Sequence, residues 1–190
     1  MKQEIDLLKN YPKTKRDPKE RSKLKKKEDI LIARKFGKDF FDGDRKHGYG
    51  GYNYDSKYWK NVVPDFIKYY NLNNNSSILD IGCGKGFMLY DFKKYLPNIQ
   101  IRGIEISEYA VKNAKNEVKD FLDVGNALSL PYSDNSFDCV ISIATIHNLN
   151  RDECGKSLKE IQRVSKKDSF ITVDAYSNPE EKELMDQWNL

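Results

Sequence analysis

The chain has 190 residues and a formal net charge of +4, a length that suits one domain with a buried core. The charge is uneven, because residues 1–35 hold 13 Lys/Arg and 6 Asp/Glu, a local +7 that leaves −3 for the remainder. The sequence has no long apolar run and no apolar signal core, which argues against a membrane span and against secretion. Its three cysteines are widely spaced and form no Cys-x-x-Cys pair, which argues against a zinc site and against disulfides. We therefore expect a cytoplasmic protein without a metal.

Residues 1–27 are polar, rich in lysine and interrupted by Pro12 and Pro18. This composition predicts a flexible, solvated basic tail. An arm that binds nucleic acid or another polyanion is the alternative. Residues 28–36 predict a short helix with acidic residues in its first turn, which opens a helical N-terminal segment over residues 28–75.

Residues 37–54 combine glycines, aromatic residues and charged residues without a strand or helix period, which is typical of a loop. Ordinary linkers carry few aromatic residues, so we predict a lid that closes over a ligand, although the rings could instead pin a long loop to the core. The candidate contacts in this loop are Asp42, Asp44, His47, Tyr49, Tyr52 and Tyr54. Apolar residues at helix spacing then predict an amphipathic helix over residues 59–70, with Pro64 in its first turn or at a kink.

Three glycines follow a short apolar strand at residues 78–81, and a helical pattern comes next. A strand, a glycine turn and a helix in succession bring the backbone close to a nucleotide-like ligand. Gly82 and Gly84 would let the chain turn tightly without a Cβ in the way. A dinucleotide fingerprint needs a third glycine where Phe87 stands, so the motif is Asp-x-Gly-x-Gly-x-Gly, beginning at Asp80.

The rest of the chain alternates strands with helices. Strands are predicted at residues 99–106, 121–124, 137–143 and 170–173, and helices at 108–118, 154–161 and 179–188. This order predicts an α/β fold with a doubly wound, mostly parallel, Rossmann-like sheet in three αβα layers over residues 76–190. In such sheets the ligand lies at the carboxyl ends of the strands. That rule selects residues 80–86, 105–107, 125–127, 143–148 and 174–176.

Two side chains at these strand ends carry predicted chemistry. Glu105 lies roughly 20 residues beyond the glycine turn, where a carboxylate can accept hydrogen bonds from both hydroxyls of a ribose. His147 follows the fourth strand, and its ordinary pKa of about 6.5 suits a general base. A packing or hydrogen-bonding role is the alternative for His147, and His47 in the loop is the second candidate base.

The glycine motif and the run Leu-Pro-Tyr-Ser-Asp-Asn-Ser-Phe-Asp at residues 130–138 resemble the class I S-adenosylmethionine (SAM) methyltransferases, in particular the small-molecule, type 11-like domains. The resemblance covers most of residues 76–176. It implies SAM as the cofactor, held by Asp80, Gly82, Cys83, Gly84, Gly86, Glu105, Ile106, Asn126, Ala127 and Ile143. The catalytic candidates are His147, His47 and Tyr49. Family members usually carry Asp-Ala where this chain has Asn126-Ala127.

Two absences narrow the methyl acceptor. Enzymes that methylate amino groups of bases or of glutamine resemble one another in an Asn/Asp-Pro-Pro-aromatic run after the fourth strand, but residues 142–147 here read Ser-Ile-Ala-Thr-Ile-His. Cys139 lies inside a strand, so the thiol nucleophile of pyrimidine C5 methylation is missing. We therefore expect transfer to an O or N of a small molecule, with a sugar suggested by the likeness of residues 42–52 to uncharacterised bacterial methyltransferases. An RNA methyltransferase that uses the basic tail, and a SAM-binding protein that supports a partner without catalysis, are the alternatives.

Family sheets have seven strands, of which the last two form an antiparallel hairpin, whereas this sequence ends in the helix after the fifth strand. The sequence therefore predicts a domain without the C-terminal strand hairpin, or a fragment of a longer protein. A missing hairpin would expose an edge of the sheet. The N-terminal segment or a second copy of the chain could cover that edge, so a homodimer is one expected arrangement.

Overall fold

The structure is a computed structural model that describes residues 5–13 and 26–188, except for the side chains of residues 184 and 186–188. Its helices are α1 (Lys27–Ala33), α2 (Lys38–Asp42), α3 (Ser56–Trp59), α4 (Val63–Tyr69), α5 (Phe87–Tyr95), α6 (Glu108–Lys112), α7 (Arg151–Val164) and α8 (Pro179–Trp188). Its strands are β1 (Ser77–Ile81), β2 (Gln100–Glu105), β3 (Leu122–Val124), β4 (Cys139–Ile143) and β5 (Ser169–Thr172). Short 3-10 helices lie at Lys119–Phe121 and Ile146–Asn148. No helix in this part of the chain is long and apolar enough to cross a membrane.

The five strands form one parallel sheet in the order β3-β2-β1-β4-β5. Strand β1 lies at the centre and is buried along its whole length. Its side chains alternate between two apolar clusters, since Ile78 belongs to the cluster that contains Phe66 and Phe92, whereas Leu79 belongs to the cluster that contains Ile161. This alternation is what the two-residue period of a strand produces when helices cover both faces of a sheet. The predicted three-layer α/β fold is therefore confirmed.

The start of the chain differs from the sequence prediction at residues 5–13. Leu7 is 5% exposed and joins the apolar core, and the Tyr11 ring lies 5.0 Å from the Trp59 ring. These residues pack against the domain rather than extending into solvent, because Leu7 and Tyr11 bring apolar surface that is stabilised by burial. Most of the predicted basic tail, at residues 14–25, lies outside the described residues.

Three helix boundaries also differ from prediction. Helix α2 lies inside the stretch predicted as a loop, and burial of Phe41 holds it there. The single helix predicted after that loop is two helices, with Pro64 in the first turn of α4, where the missing N–H of proline removes no helical hydrogen bond. Helix α6 ends at Lys112, because the chain turns so that the Lys115 N–H donates to the Lys85 carbonyl oxygen at 3.2 Å.

The outer edge of β5 carries no strand within the described residues, since β5 pairs with β4 alone. The Tyr11 ring packs on Tyr58 and Trp59, and none of the described N-terminal residues pairs with this edge as a strand. Cover by a second copy of the chain stays a prediction. The apolar face expected for α8 at Leu184 and Trp188 falls outside the described side chains.

Candidate active site

A cavity of about 150 Å³ lies at the carboxyl ends of β1 to β4. Because these strands are parallel and adjacent, the residues that follow them meet at one edge of the sheet. The lining residues after the strands are Gly82, Gly84, Ile106, Gly125, Asn126, Ala127, Ala144, Thr145, Asn148 and Leu149. Aromatic side chains from the N-terminal segment line it as well. The cavity therefore lies where open α/β sheets bind their ligands.

The glycine turn after β1 requires residues without a Cβ. Gly82 has a φ of +78°, and a Cβ added there would lie 2.1 Å from Thr145 Oγ1. Gly84 has a φ of +55°, and a Cβ added there would lie 3.1 Å from the Tyr52 ring. This left-handed region costs a residue with a side chain about 1–2 kcal/mol. The turn thus presents bare backbone to the cavity.

Glu105 is 7% exposed and joins the glycine turn to the end of β2. Its Oε2 accepts a hydrogen bond from the Gly84 N–H at 2.9 Å, and its Oε1 accepts one from the Ser107 N–H at 3.0 Å. Burial raises the pKa of this carboxyl, and the hydrogen bonds from Ser107 and Gly84 offset part of the rise. Each oxygen has a second lone pair, so the carboxylate can also accept hydrogen bonds from ligand hydroxyls.

Asp80, near the end of β1, is also 7% exposed. Burial raises the pKa of its carboxyl to about 7, and the nearby Glu105 adds to the rise. No hydrogen bond from the described residues stabilises the charged form. A buried carboxyl of this kind is stabilised in its charged form by a neighbouring cation. The end of β1 therefore suits a ligand that brings a positive charge.

Five rings from the N-terminal segment line the cavity, and we call them the aromatic wall: Phe36, Phe40, Phe41, Tyr49 and Tyr52. The centroid of the Phe40 ring lies 5.1 Å from that of Phe41 and 5.2 Å from that of Tyr49. Tyr52 lies 4.3 Å from Tyr49 and stacks on Phe87 of α5 at 4.9 Å. The rings therefore pack on the domain, which was one of the two predicted alternatives. Closure over a ligand stays a prediction.

The Asp42 carboxylate ties the aromatic wall to the glycine turn. It accepts hydrogen bonds from Lys85 Nζ at 2.7 and 2.9 Å, and we call this ion pair the latch. It also accepts one from the Tyr109 hydroxyl at 2.7 Å and one from the Tyr52 backbone N–H at 2.9 Å. Burial raises the pKa of Asp42, but these hydrogen bonds outweigh it and the net pKa lies below the usual value. Asp42, predicted as a ligand contact, therefore joins three elements of the domain.

The two predicted histidine bases do not line the cavity. His47 Nε2 lies 3.0 Å from Asp29 Oδ1. His147 Nδ1 accepts a hydrogen bond from the Asp174 N–H, after β5, at 3.1 Å. Tyr49, the third predicted catalytic residue, does line the cavity and is 46% exposed. Of these three residues the fold brings only Tyr49 to the site.

Six of the predicted cofactor-binding residues line the cavity, namely Gly82, Gly84, Glu105, Ile106, Asn126 and Ala127. Cys83 instead lies in the apolar core, where burial raises the pKa of its thiol well above the ordinary value, so the thiol is a poor nucleophile. Gly86 has a φ of +74° and precedes α5, with Val118 packed against it. Asp80 and Ile143 stand at the ends of β1 and β4 but are not among the lining residues.

The strand-end rule selected residues 143–148, but the sequence analysis did not name Thr145 and Asn148 as individual site residues. Both follow β4 and line the cavity, and Asn148 Nδ2 donates to the Thr145 carbonyl oxygen at 3.0 Å. The prediction chose His147 in the same loop because imidazole titrates near neutral pH. Neighbouring residues of a 3-10 helix point in different directions, and here His147 points to the end of β5. Within residues 143–148, the sequence carries no further signal that singles out Thr145 and Asn148 from their neighbours.

Comparison with known proteins identifies relatives of this domain. A family model described as a methyltransferase domain matches residues 72–189. The chain is 40% identical over 105 residues to ajmaline N-methyltransferase from Rauvolfia serpentina, covering 51% of this chain and 35% of that protein. It is 32% identical over 122 residues to tRNA (carboxymethyluridine(34)-5-O)-methyltransferase from Arabidopsis thaliana, covering 62% of this chain and 28% of that protein. The chain thus spans about a third of the length of these two relatives.

A solved structure shares the fold. The YcgJ protein from Bacillus subtilis superposes with a TM-score of 0.52 at 28% sequence identity, covering 65% of this chain and 54% of that one. The family match over residues 72–189 takes in more than half of the chain, including the glycine turn and Glu105. The chain therefore belongs to the class I SAM-dependent methyltransferase family.

Proposed function

We propose that this chain binds SAM in the strand-end cavity and transfers its methyl group to a small molecule. The observation that carries the proposal is the meeting of three features at one edge of the sheet. They are the bare glycine turn, the carboxylate of Glu105 bonded to that turn, and the buried Asp80 carboxyl without a hydrogen-bond donor. A nucleoside ligand that carries a positive charge and no phosphate is bound by backbone groups and carboxylates rather than by a basic pocket.

The residues present fit SAM. Glu105 would accept hydrogen bonds from the ribose hydroxyls, and Asp80 would neutralise positive charge on the methionine part. Asn126 would bond to the adenine edge, and Ile106, which is 56% exposed, would pack on its face. When bound, SAM supplies a methyl group that its positive sulfonium makes electrophilic.

The contribution of the chain itself is to position the acceptor and to exclude water. A nucleophile held in line with a methyl carbon reacts faster because its translational and rotational freedom is already lost, which can lower the barrier by several kcal/mol. The aromatic wall covers the strand ends with apolar rings. Apolar cover of this kind displaces water that would compete for the site.

Two observations support a small acceptor. The cavity volume of about 150 Å³ is below the ~300–1,000 Å³ of common small-molecule pockets, so the cavity offers little space for a bulky acceptor beside a bound donor. The ajmaline N-methyltransferase among the relatives acts, by its name, on a small molecule.

RNA is the second candidate acceptor. A tRNA methyltransferase is among the relatives, and residues 1–35 carry a local charge of +7. RNA binding that weakens steeply with salt, and that is lost when Lys23, Lys25, Lys26 and Lys27 are replaced by glutamine, would support this candidate. These substitutions leave the packed residues 5–13 unchanged.

Isothermal titration with SAM tests the proposal. Glu105→Gln should weaken SAM binding at least about tenfold, because a neutral amide accepts hydrogen bonds less strongly than a carboxylate. Glu108→Gln, at an exposed position in the first turn of α6, is the matched control and should bind SAM normally. Labelled SAM with fractionated cell extract then reports transfer. Binding without transfer to any fraction would favour a non-catalytic SAM-binding protein, and no binding of SAM would refute the proposal.

A further inference from the structure

The part of the cavity formed by the aromatic wall and the residues after β4 is mostly apolar and aromatic. The residues after β4 are Ala144, Thr145, Asn148 and Leu149. Among the described residues that line the cavity, Glu105 is the one side chain with a formal charge. Phosphate and carboxylate groups are recognised by arginine, lysine or clustered N–H donors. An anionic acceptor would therefore lack a charged partner here.

The lining residues also lack a group that could take a proton from the acceptor at neutral pH. His47 bonds to Asp29 and His147 to the Asp174 N–H, both outside the lining. Phenols keep their proton up to about pH 10. Glu105 accepts backbone hydrogen bonds with both oxygens, and in the proposed function its remaining lone pairs accept hydrogen bonds from the ribose hydroxyls of the donor. A hydroxyl is a weak nucleophile until a base removes its proton, whereas a neutral amine attacks with the lone pair that it already has.

We propose, on the basis of the proposed function, that the acceptor is an amine on an apolar or aromatic scaffold. The lone pair of the neutral nitrogen attacks the methyl carbon. The N–C bond forms as the bond from carbon to the sulfonium sulfur breaks, and the electron pair of that bond stays on sulfur, which becomes a neutral thioether. A secondary amine becomes a tertiary ammonium and then loses its proton to water, so no residue has to accept it.

Asn148 and the aromatic wall supply the contacts such an acceptor needs. The Nδ2 group of Asn148 donates to the Thr145 carbonyl oxygen at 3.0 Å, which leaves the amide oxygen to accept the N–H of a secondary amine. That hydrogen bond would orient the nitrogen lone pair. The rings of Phe40 and Tyr49 bind a planar scaffold by ring contacts, and they favour the ammonium product through cation–π attraction.

A panel of acceptors with labelled SAM tests the assignment. The amines are tetrahydroisoquinoline and indoline, and the comparison acceptors are tetrahydronaphthol and glucose 6-phosphate. Both amines should be methylated, and the hydroxyl acceptors should react about 100-fold more slowly, the usual contribution of a missing general base. Equal or faster transfer to a hydroxyl, or no transfer to either amine by SAM-bound protein, overturns the proposal.

The pH profile gives an independent readout. If the chain supplies no base, the pH at which kcat/KM reaches half its maximum follows the pKa of the acceptor amine. That pH then differs between the alkyl amine tetrahydroisoquinoline and the aryl amine indoline. A midpoint that stays at one pH for both amines would identify a base on the protein and overturn the proposal.

Binding without turnover tests the contacts directly. Titration of tetrahydroisoquinoline into protein saturated with the demethylated cofactor product should give about tenfold weaker affinity for Phe40→Leu and for Asn148→Ala. Tyr69→Leu removes an exposed ring of α4 away from the cavity and should leave affinity unchanged. Unchanged amine affinity in both cavity variants overturns the proposal. Loss of SAM binding in the unaltered protein would refute the proposed function instead, so the two failures are distinguishable.

Discussion

Breaking the latch between Asp42 and Lys85 should destabilise the domain. The Nζ and Oδ2 atoms lie 2.7 Å apart, and the side chain of Lys85 is 7% exposed whereas that of Asp42 is 24% exposed. Removing one partner of a fully buried ion pair costs about 3–5 kcal/mol. Because water reaches part of Asp42, we expect about 2–3 kcal/mol for Asp42→Asn. Urea unfolding measures this change in the free energy of unfolding.

A double-mutant cycle isolates the pair from its neighbours. Asp42→Asn, Lys85→Met and the double variant should show a coupling of about 2 kcal/mol, the range of a hydrogen bond between charged groups. The double variant should be about as stable as Asp42→Asn alone, because replacing Lys85 costs little more once its partner carboxylate is gone. Asp55 and Lys57 form the matched control, with the same 2.7 Å distance but side chains that are 43% and 59% exposed. Such an exposed pair should show no measurable coupling.

The latch should also affect ligand exchange, because Asp42 accepts a hydrogen bond from the Tyr52 backbone N–H, and the Tyr52 ring lies beside Gly84. Stopped-flow measurement of SAM release should show faster dissociation from Asp42→Asn than from Asp55→Asn. A coupling energy below about 0.5 kcal/mol, within the usual error of additivity, would refute the assignment of the latch, and so would equal release rates in the two variants.

Three further substitutions test the site. The folded chain keeps the proton on Asp80 up to pH about 7, whereas the unfolded chain releases it near pH 3.8, so the free energy of unfolding should fall as pH rises between these values. In urea unfolding at several pH values, Asp80→Asn should lose this pH dependence, and equal pH dependence in both proteins would contradict the reasoning. Gly82→Ala should lower the free energy of unfolding by at least about 2 kcal/mol and with it the melting temperature. Gly155→Ala, with no atom within 4 Å of the added Cβ, should raise the free energy of unfolding by about 0.5–1 kcal/mol, so equal melting temperatures of the two variants would contradict the reasoning. His147→Ala should change the methylation rate less than about threefold, since its ring faces Asp174, and a loss in the range of about 100-fold would restore the histidine as a base.

The features that follow from local physics were predictable from the sequence. A buried central strand must be apolar on both faces, and Ile78 to Ile81 satisfies that requirement with Asp80 as the exception. The glycines after it mark positive φ angles that other residues disfavour. The strand-end rule then located the cavity without knowledge of any side-chain contact. These three inferences depend on neighbours in sequence or on sheet topology alone.

The roles of individual polar side chains were not predictable, because they depend on partners far away in sequence. Asp42 meets Lys85 across 43 positions, and His47 meets Asp29 across 18. A titratable side chain in a loop has the same sequence signature whether it faces a ligand or another part of the chain. His147 shows the same ambiguity, since Asn148 beside it lines the cavity while His147 does not. A correct assignment required the positions of α2 and β5.

The aromatic wall comes from residues 36–52, ahead of residue 72 where the family match begins. The carboxylates and the glycine turn come from residues 80–105, inside that match. On the proposed assignment, the groups that hold the donor lie inside the matched stretch, whereas the acceptor is contacted both by the leading stretch and by Asn148 after β4. Replacing the leading stretch on the same sheet would then change which scaffold is accepted, while the donor site and the contact from Asn148 are kept.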